Sequence, residues 1–496
     1  MKRSEQSFRG FIQRFLDCVD TRPEGVAVRD LAAGIELTYG ELRERAERTQ
    51  LRLRQAGIDA GDVVGICLPT GLDFMCCYMA CLSLGAVPLL LNPTYGFEDL
   101  AGPLRKSRPR LVVTLGAVAT SLSPVLSELG VEVRLTDAQL SEEALLPDDF
   151  RESLPLREPP PAAVAAIFYT YKGLGRPLGV AHTYESVTRF VDVGPLAHWP
   201  RQTSSSVHMI VLPMCTVFGL GCGLVTPLSV GATALLPPKT RDFVGVLAEH
   251  DVQVFCFVPE IAKFLIAAAQ QRSANGEDMP PLRPDLLLLS GASWLDPKIA
   301  RKCGDMLGVR PIMQGYGATE TFPCLSEHFE HTRRLGSMGV TMPGYRTRVV
   351  SHEGRDAMAG QIGELWVSGP SVAKGYLDDD EATAACFVGE WFRTGDLVRK
   401  DEEGFVFFEG RRARFAKISS YMVDLREIEC ALTSMEDVSA ASVMAQRSAE
   451  GVDFLSAEVR AINGATITGP DLHRRLRARM AGFKVPGPEA VHVLTA

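Results

Sequence analysis

Short apolar, β-branched runs alternate with longer amphipathic stretches over most of this chain, and that alternation restricts its fold more than any single residue does. Residues 63–68 read as a strand, 71–84 as a helix and 86–91 as a strand, and 110–115, 163–169, 252–258 and 286–289 repeat the strand pattern. Strands that are apolar throughout and separated by helices belong to sheets covered on both faces. A chain of 496 residues is too long for one hydrophobic core. After about residue 360 the pattern changes to short antiparallel strands at 363–367 and 404–409. Residues 425–432 and 470–480 then read as helices, and 440–445 and 454–461 as strands. The expected fold is α/β, with a large N-terminal domain over 1–410 that holds doubly wound sheets and a small β-barrel-like subdomain. A small, shortened α+β C-terminal domain follows over 411–496.

Charge and cysteine content narrow the function. A formal net charge of -8 argues against nucleic acid and against a membrane surface as partners. The twelve cysteines show neither metal-ligand spacing nor a disulfide framework, and Cys76, Cys77 and Cys81 fall inside an apolar helix. No metal site and a reducing cytoplasm are expected. Residues 209–238 carry no charge, but Pro213, Pro227 and four glycines break the run, so it reads as buried strand, loop and helix rather than a membrane span.

The chemistry sits in short glycine-rich motifs. Gln-Gly-Tyr-Gly-Ala-Thr-Glu at 314–320 sets Thr319 beside Glu320. Gly-Glu-Trp-Phe-Arg-Thr-Gly-Asp at 389–396 offers Asp396 after a glycine turn, and Glu-Gly-Arg at 409–411 offers Arg411. Each motif is weak alone, but together and in this order they are specific. On these motifs the chain resembles, essentially end to end, the adenylate-forming superfamily of acyl-CoA synthetases, nonribosomal-peptide adenylation domains and luciferases, with the benzoate-type aryl-CoA ligases most similar in pattern. Such enzymes join a carboxylate to AMP and pass the acyl group to the thiol of CoA or a carrier protein, and their small C-terminal domain rotates between the two steps.

The resemblance implies roles for particular residues. Thr319 and Glu320 match the phosphate and magnesium pair, Asp396 the ribose acid and Arg411 the arginine beside it. Gly291 and Ala292 match the backbone step along adenine. An acyl pocket is implied around Cys215, Thr216 and Gly219, Ser290 with Gly291 and Ala292, and Gly315, Tyr316 and Gly317. Lys417 and Ser420 match the pantetheine side.

The adenylation apparatus departs from the pattern. The family's phosphate loop reads Tyr-Thr-Ser-Gly-Thr-Thr-Gly-x-Pro-Lys-Gly-Val, and residues 169–180 read Tyr-Thr-Tyr-Lys-Gly-Leu-Gly-Arg-Pro-Leu-Gly-Val. Thr170 and Gly175 remain. Tyr171 replaces a serine, Lys172 a glycine, Gly173 and Leu174 two threonines, and Leu178 the lysine. Such a loop works through backbone N–H groups, hydroxyls and a cation, and Lys172 and Arg176 restore some charge. The family's catalytic lysine lies beyond a Tyr-Lys-Val-Pro segment and a short strand. Here Phe-Lys-Val-Pro at 483–486 is followed by 491–494 and the sequence stops at Ala496, so that lysine is not expected within it. Arg414 stands at the hinge acid, and Met214-Cys215-Thr216 replaces an aromatic-histidine element.

The expected activity is therefore transfer of an aryl or acyl group, anthraniloyl- or benzoyl-like, from acyl-CoA to an acyl carrier protein in polyketide priming, with no cofactor required. The alternatives are an ATP- and magnesium-dependent aryl-CoA ligase with an atypical loop, and a non-catalytic protein that binds an acyl ligand or a partner. Cys215 and Cys324 are candidate nucleophiles and His208 and His182 candidate bases; each also reads as an ordinary core residue. Arg474, Arg475, Arg477, Arg479 and Lys484 read either as a solvated face or as a dock for an acidic carrier or the CoA phosphates.

Overall fold

The structure is a computed structural model that describes residues 8–135, 154–170, 176–240, 242–330, 334–411, 415–418, 421–448, 452–462 and 467–494. Two large sheets form the N-terminal part. In one, six strands run in the spatial order Glu132–Leu135, Leu111–Thr114, Val63–Cys67, Val87–Leu90, Val164–Thr170 and Leu178–Thr183. The first five are parallel, and the last closes an antiparallel hairpin in which Thr170 faces Leu178. In the other, nine strands centre on the parallel set Leu287–Ser290, Val254–Phe257, Val207–Ile210 and Thr233–Leu236.

The helix Leu72–Leu84 shows why the two sheets pack as one body. Every residue from Phe74 to Leu82 is buried, so it has no polar face to turn to water. It shares a core cluster with Val64 and Ile66 of the first sheet and with Val28 and Ala234 of the second. Burial pushes the Cys76 and Cys81 thiols up to about 12, as befits core thiols.

The uncharged run at 209–238 folds as the strand Val207–Ile210, a helical stretch with a π-helical turn at Gly221–Val225, and the strand Thr233–Leu236. No described helix is long and apolar enough to cross a membrane. An antiparallel five-stranded sheet follows, built on Ile362–Ser368 and the long strand Trp391–Lys400, and it includes Val406–Arg411. The small C-terminal domain packs the helices Leu425–Thr433 and Gly469–Arg477 on a three-stranded sheet around Ile428, Leu432, Val459 and Leu472.

His208 lies inside the nine-stranded sheet between Ala234 and Val254, 1% exposed. Burial lowers its pKa to about 3, so the folded protein holds it neutral. The unfolded chain then binds a proton first. The stabilisation is complete above the ordinary histidine value near 6.5 and is lost as pH falls toward 3. Denaturant titrations from pH 7 to 4 should show stability falling by up to about 1.4 kcal/mol per pH unit from this residue. His208→Leu should flatten that slope; an unchanged slope would assign the acid sensitivity elsewhere.

Candidate active site

A cavity of about 410 Å³ opens where the C-terminal ends of the parallel strands meet the small domain, the usual position of a ligand crevice in α/β sheets. The strand Met313–Ala318 contributes Gly315, Tyr316 and Gly317, and the turn after it Thr319 and Glu320. Gly291 and Ala292 enter after Leu287–Ser290, Thr216 and Phe218 after Pro213, and Thr170 from the end of its hairpin. Asp396 comes from the five-stranded sheet. The backbone here is shaped for close approach. A Cβ on Gly317 would lie 2.5 Å from the carbonyl oxygen of Phe322, and Ala292 adopts a left-handed φ of 64°.

Both acids in the cavity wall are already bonded. Glu320 is fully buried and accepts the Tyr376 hydroxyl at 2.6 Å. Asp396, also buried, accepts the Tyr316 hydroxyl at 2.5 Å. Cations are scarce. Leu178 is buried with Val180, Ala373 and Tyr376, so the position of the family lysine is part of the core. Arg176 is drawn off by a two-pronged ion pair to Asp379 at 2.9 and 3.1 Å. Among the described lining residues Lys484 is the single cation. It is 1% exposed and donates to Glu427 at 2.9 Å and to Asp99.

Several expected residues lie elsewhere. Cys215, Gly219 and Ser290 are not in the cavity wall, although Thr216 and Gly291 beside them are. A Cβ on Gly219 would meet the Pro213 carbonyl, so that glycine serves the tight turn. Burial pushes the Cys215 and Cys324 thiols up to about 12, and both are protonated at neutral pH. His182 sits behind the wall with Nε2 2.7 Å from the Thr319 carbonyl oxygen, and burial lowers its pKa to about 4. It positions the Thr319–Glu320 turn and does not face the cavity. His208 lies in the sheet interior.

Tyr171, Lys172, Gly173, Leu174, Gly175, Arg414 and Ser420 fall outside the described residues. Arg411 pairs through its backbone with Asp396, and Lys417 with Met422 in the hairpin Phe415–Ile418, Tyr421–Asp424. The arginines of the basic run stay at the surface, with Arg474 and Arg477 exposed, and most of them are paired. Arg474 and Arg475 pair with Asp471, Arg475 also with Asp437, Arg479 with Glu98, and Lys484 is interior.

The sequence reading missed residues that carry no motif. The aromatic and aliphatic walls Phe190, Trp199, Leu325 and Met342 are among them. So is the closure by Tyr95, Tyr421 and Phe483, in which Tyr421 and Phe483 stack at 4.1 Å. Asp99 had one available signal, its place three residues after Gly96 at a helix start. A second cavity of about 700 Å³ lies across the Gly315–Gly317 strand, with Trp294, Arg399 and Glu409 in its wall. A wider groove of about 860 Å³ near Arg189 and Arg346 takes in Gly389 and Glu390 from the start of the 389–396 motif but neither Asp396 nor the 314–320 residues.

A parallel-sheet fold with a threonine, two carboxylates and glycine-lined walls at one crevice defines the adenylate-forming class. The chain belongs to the AMP-binding enzyme family, whose pattern matches residues 15–377. It is 30% identical over 463 residues to the p-hydroxybenzoic acid–AMP ligase FadD22 of Mycobacterium tuberculosis, a match that covers 92% of this chain and 62% of that protein's length. It is 28% identical over 428 residues to a 4-hydroxybenzoate–CoA/benzoate–CoA ligase of Rhodopseudomonas palustris, which covers 84% of this chain and 75% of that one. The fold is similar to that of the amide bond synthetase McbA from Marinactinospora thermotolerans, with a TM-score of 0.84, 24% identity, and 98% and 96% of the two chains covered.

The contact of Lys484 with Asp99 and Glu427 joins the small domain to the large one. Breaking a buried charge pair by removing one partner costs about 3–5 kcal/mol. Asp99→Ala should therefore loosen the docking. Hydrogen exchange should rise selectively at 421–424 and 481–485, while the helix Leu72–Leu84 keeps its protection. Uniform exchange across both regions would show that the pair does not govern docking.

Proposed function

We propose that this protein transfers a compact aryl or acyl group from CoA to the phosphopantetheine thiol of an acyl carrier protein, without ATP. One observation carries the reading: the only cation among the described lining residues is already held by two carboxylates, in a cavity that also contains Glu320 and Asp396. A triphosphate brings several negative charges and needs cations to offset them. Among the described residues this wall offers a triphosphate no cation that is not already engaged. A thioester is neutral at its reacting centre and suits the same wall.

In the proposed reaction the carrier thiol attacks the thioester carbonyl carbon as its thiolate. A carbon–sulfur bond forms, the bond to the CoA sulfur breaks, and the proton released by the carrier thiol ends on CoA. One thioester replaces another, so the exchange is nearly thermoneutral and needs no coupled hydrolysis. Cys215 and Cys324, held as thiols by burial, favour direct transfer over an acyl-enzyme. Tyr421, from the hairpin that contains Lys417, reaches the cavity wall and supports entry of a pantetheine arm on that side. The relatives' names, p-hydroxybenzoic acid–AMP ligase and 4-hydroxybenzoate–CoA/benzoate–CoA ligase, support an aryl group.

The second reading is an ATP-dependent aryl ligase, favoured by Thr170, Thr319, Glu320 and Asp396 lining one crevice in a member of the AMP-binding family. Mass spectrometry of a holo carrier protein incubated with this protein separates the two. Benzoyl-CoA alone should acylate the carrier, and Cys215→Ala should retain the rate within about threefold, with no acyl mass on the enzyme. Acylation only from free benzoate plus ATP would replace the transferase with the ligase. No acylation from either source would leave a ligand-binding role.

A further inference from the structure

Most of the arginines near the end of the last helix are engaged by acids. Arg474 and Arg475 pair with Asp471, Arg475 also with Asp437, and Arg479 with Glu98. Arg477 differs. It is exposed, and among the described residues it has neither an ion pair nor a hydrogen bond. Yet its guanidinium has a defined seat. A Cβ on Gly482 would collide with the Arg477 Nη1 and stand 2.9 Å from its Cζ. The planar group therefore rests on the Gly482 backbone, and any side chain at 482 would displace it.

That seat adjoins the cavity. Phe483 follows Gly482 directly and lines the cavity, as does Lys484. Phe483 stacks on Tyr421 at 4.1 Å and meets Tyr95 edge-on at 5.6 Å, and all three rings are half-buried. Lys484 is interior and held by Asp99 and Glu427, whereas the Arg477 guanidinium is open to solvent on the same segment. The two substrates of the proposed transfer share one charged group outside the thioester. Each carries phosphate at the far end of a pantetheine arm, as a pyrophosphate in CoA and as a phosphodiester in a holo carrier. A guanidinium presents a planar fork of N–H donors that matches phosphate oxygens, and it keeps its charge at any working pH.

We infer that Arg477 is a phosphate-binding residue beside the cavity, where it holds the phosphate ester at the far end of the pantetheine arm. Gly482 is the positioning residue, since it keeps the guanidinium against the segment that continues into the cavity wall. This inference rests on the reading of the cavity as the site of a CoA-to-carrier transfer.

The test is calorimetric binding of benzoyl-CoA and benzoyl-pantetheine, which carry the same thioester with and without phosphate. The wild type should bind both, and benzoyl-CoA more tightly. Arg477→Gln should weaken benzoyl-CoA about fivefold, the scale of one exposed charged contact, and leave benzoyl-pantetheine within about twofold. Arg477→Lys, which keeps the charge but loses the fork, should recover part of the loss. Transfer from benzoyl-pantetheine to a holo carrier then separates the two phosphate sources. A higher KM for the carrier in Arg477→Gln at unchanged kcat assigns the contact to the carrier's phosphodiester; an unchanged KM beside weakened benzoyl-CoA confines it to CoA. Equal weakening of both thioesters would overturn the inference, since the guanidinium would then only support the wall. So would unchanged benzoyl-CoA binding together with an unchanged carrier KM, because Arg477 would then be a solvated charge. If the wild type binds neither thioester, the acyl-site reading falls and this inference with it.

Discussion

The closed arrangement of this molecule depends on an ammonium group buried between two carboxylates. Asp99 is the third residue of the helix Phe97–Ser107 and Glu427 the third residue of Leu425–Thr433. Two helix N-termini, one from each domain, therefore carry an acid in the first turn, where the helix dipole favours negative charge. Lys484 bridges them. The second Asp99 oxygen accepts the backbone N–H groups of Ala481 at 2.6 Å and Gly96 at 3.3 Å, so this one oxygen bonds both domains. Burying three charges is costly unless each is hydrogen-bonded in good geometry, and here the requirement fixes the geometry of the junction.

Closure by this junction shapes the cavity. It brings Phe483 and Tyr421 against Tyr95, so that aromatic rings from both domains complete the wall. It also engages the one cation among the described lining residues. Electrostatics and packing act together here: the contact that docks the small domain also pairs the Lys484 ammonium. The described wall is largely apolar, with the engaged acids Glu320 and Asp396 in it.

Backbone constraints prepare the same site. Gly317 allows the strand Met313–Ala318 to run against the Phe322 carbonyl, and Ala292 and Phe322 both hold left-handed φ values beside the cavity. The π-helical turn at Gly221–Val225 places Cys222 in the wall, in keeping with the tendency of such turns to occur at functional sites. Other left-handed residues, Arg108, Asp251 and Asp378, lie away from the crevice, so strain alone does not mark the site.

Much of the fold was legible in the chain. The apolar run at 63–68 became Val63–Cys67, and 71–84 became Leu72–Leu84, because a segment that is apolar on all sides has no stable place except between two layers. The ordered glycine motifs located Thr319, Glu320, Asp396, Gly291 and Gly315 at one crevice, since their spacing records turns at strand ends. Sequence could not tell that the Lys484 ammonium is interior. The arginines of the same run do stay at the surface, and only the acids at positions 99 and 427 show that the lysine does not. Nor could it tell that Cys324 and His208 face away from the cavity, because side-chain direction in a strand follows from register with neighbours distant in the chain. Local periodicity and motif order determined the layers and the crevice. Only the tertiary structure decided that the Lys484 charge is buried and paired and which thiols are interior, because partners such as Asp99 for Lys484 lie far away in the chain.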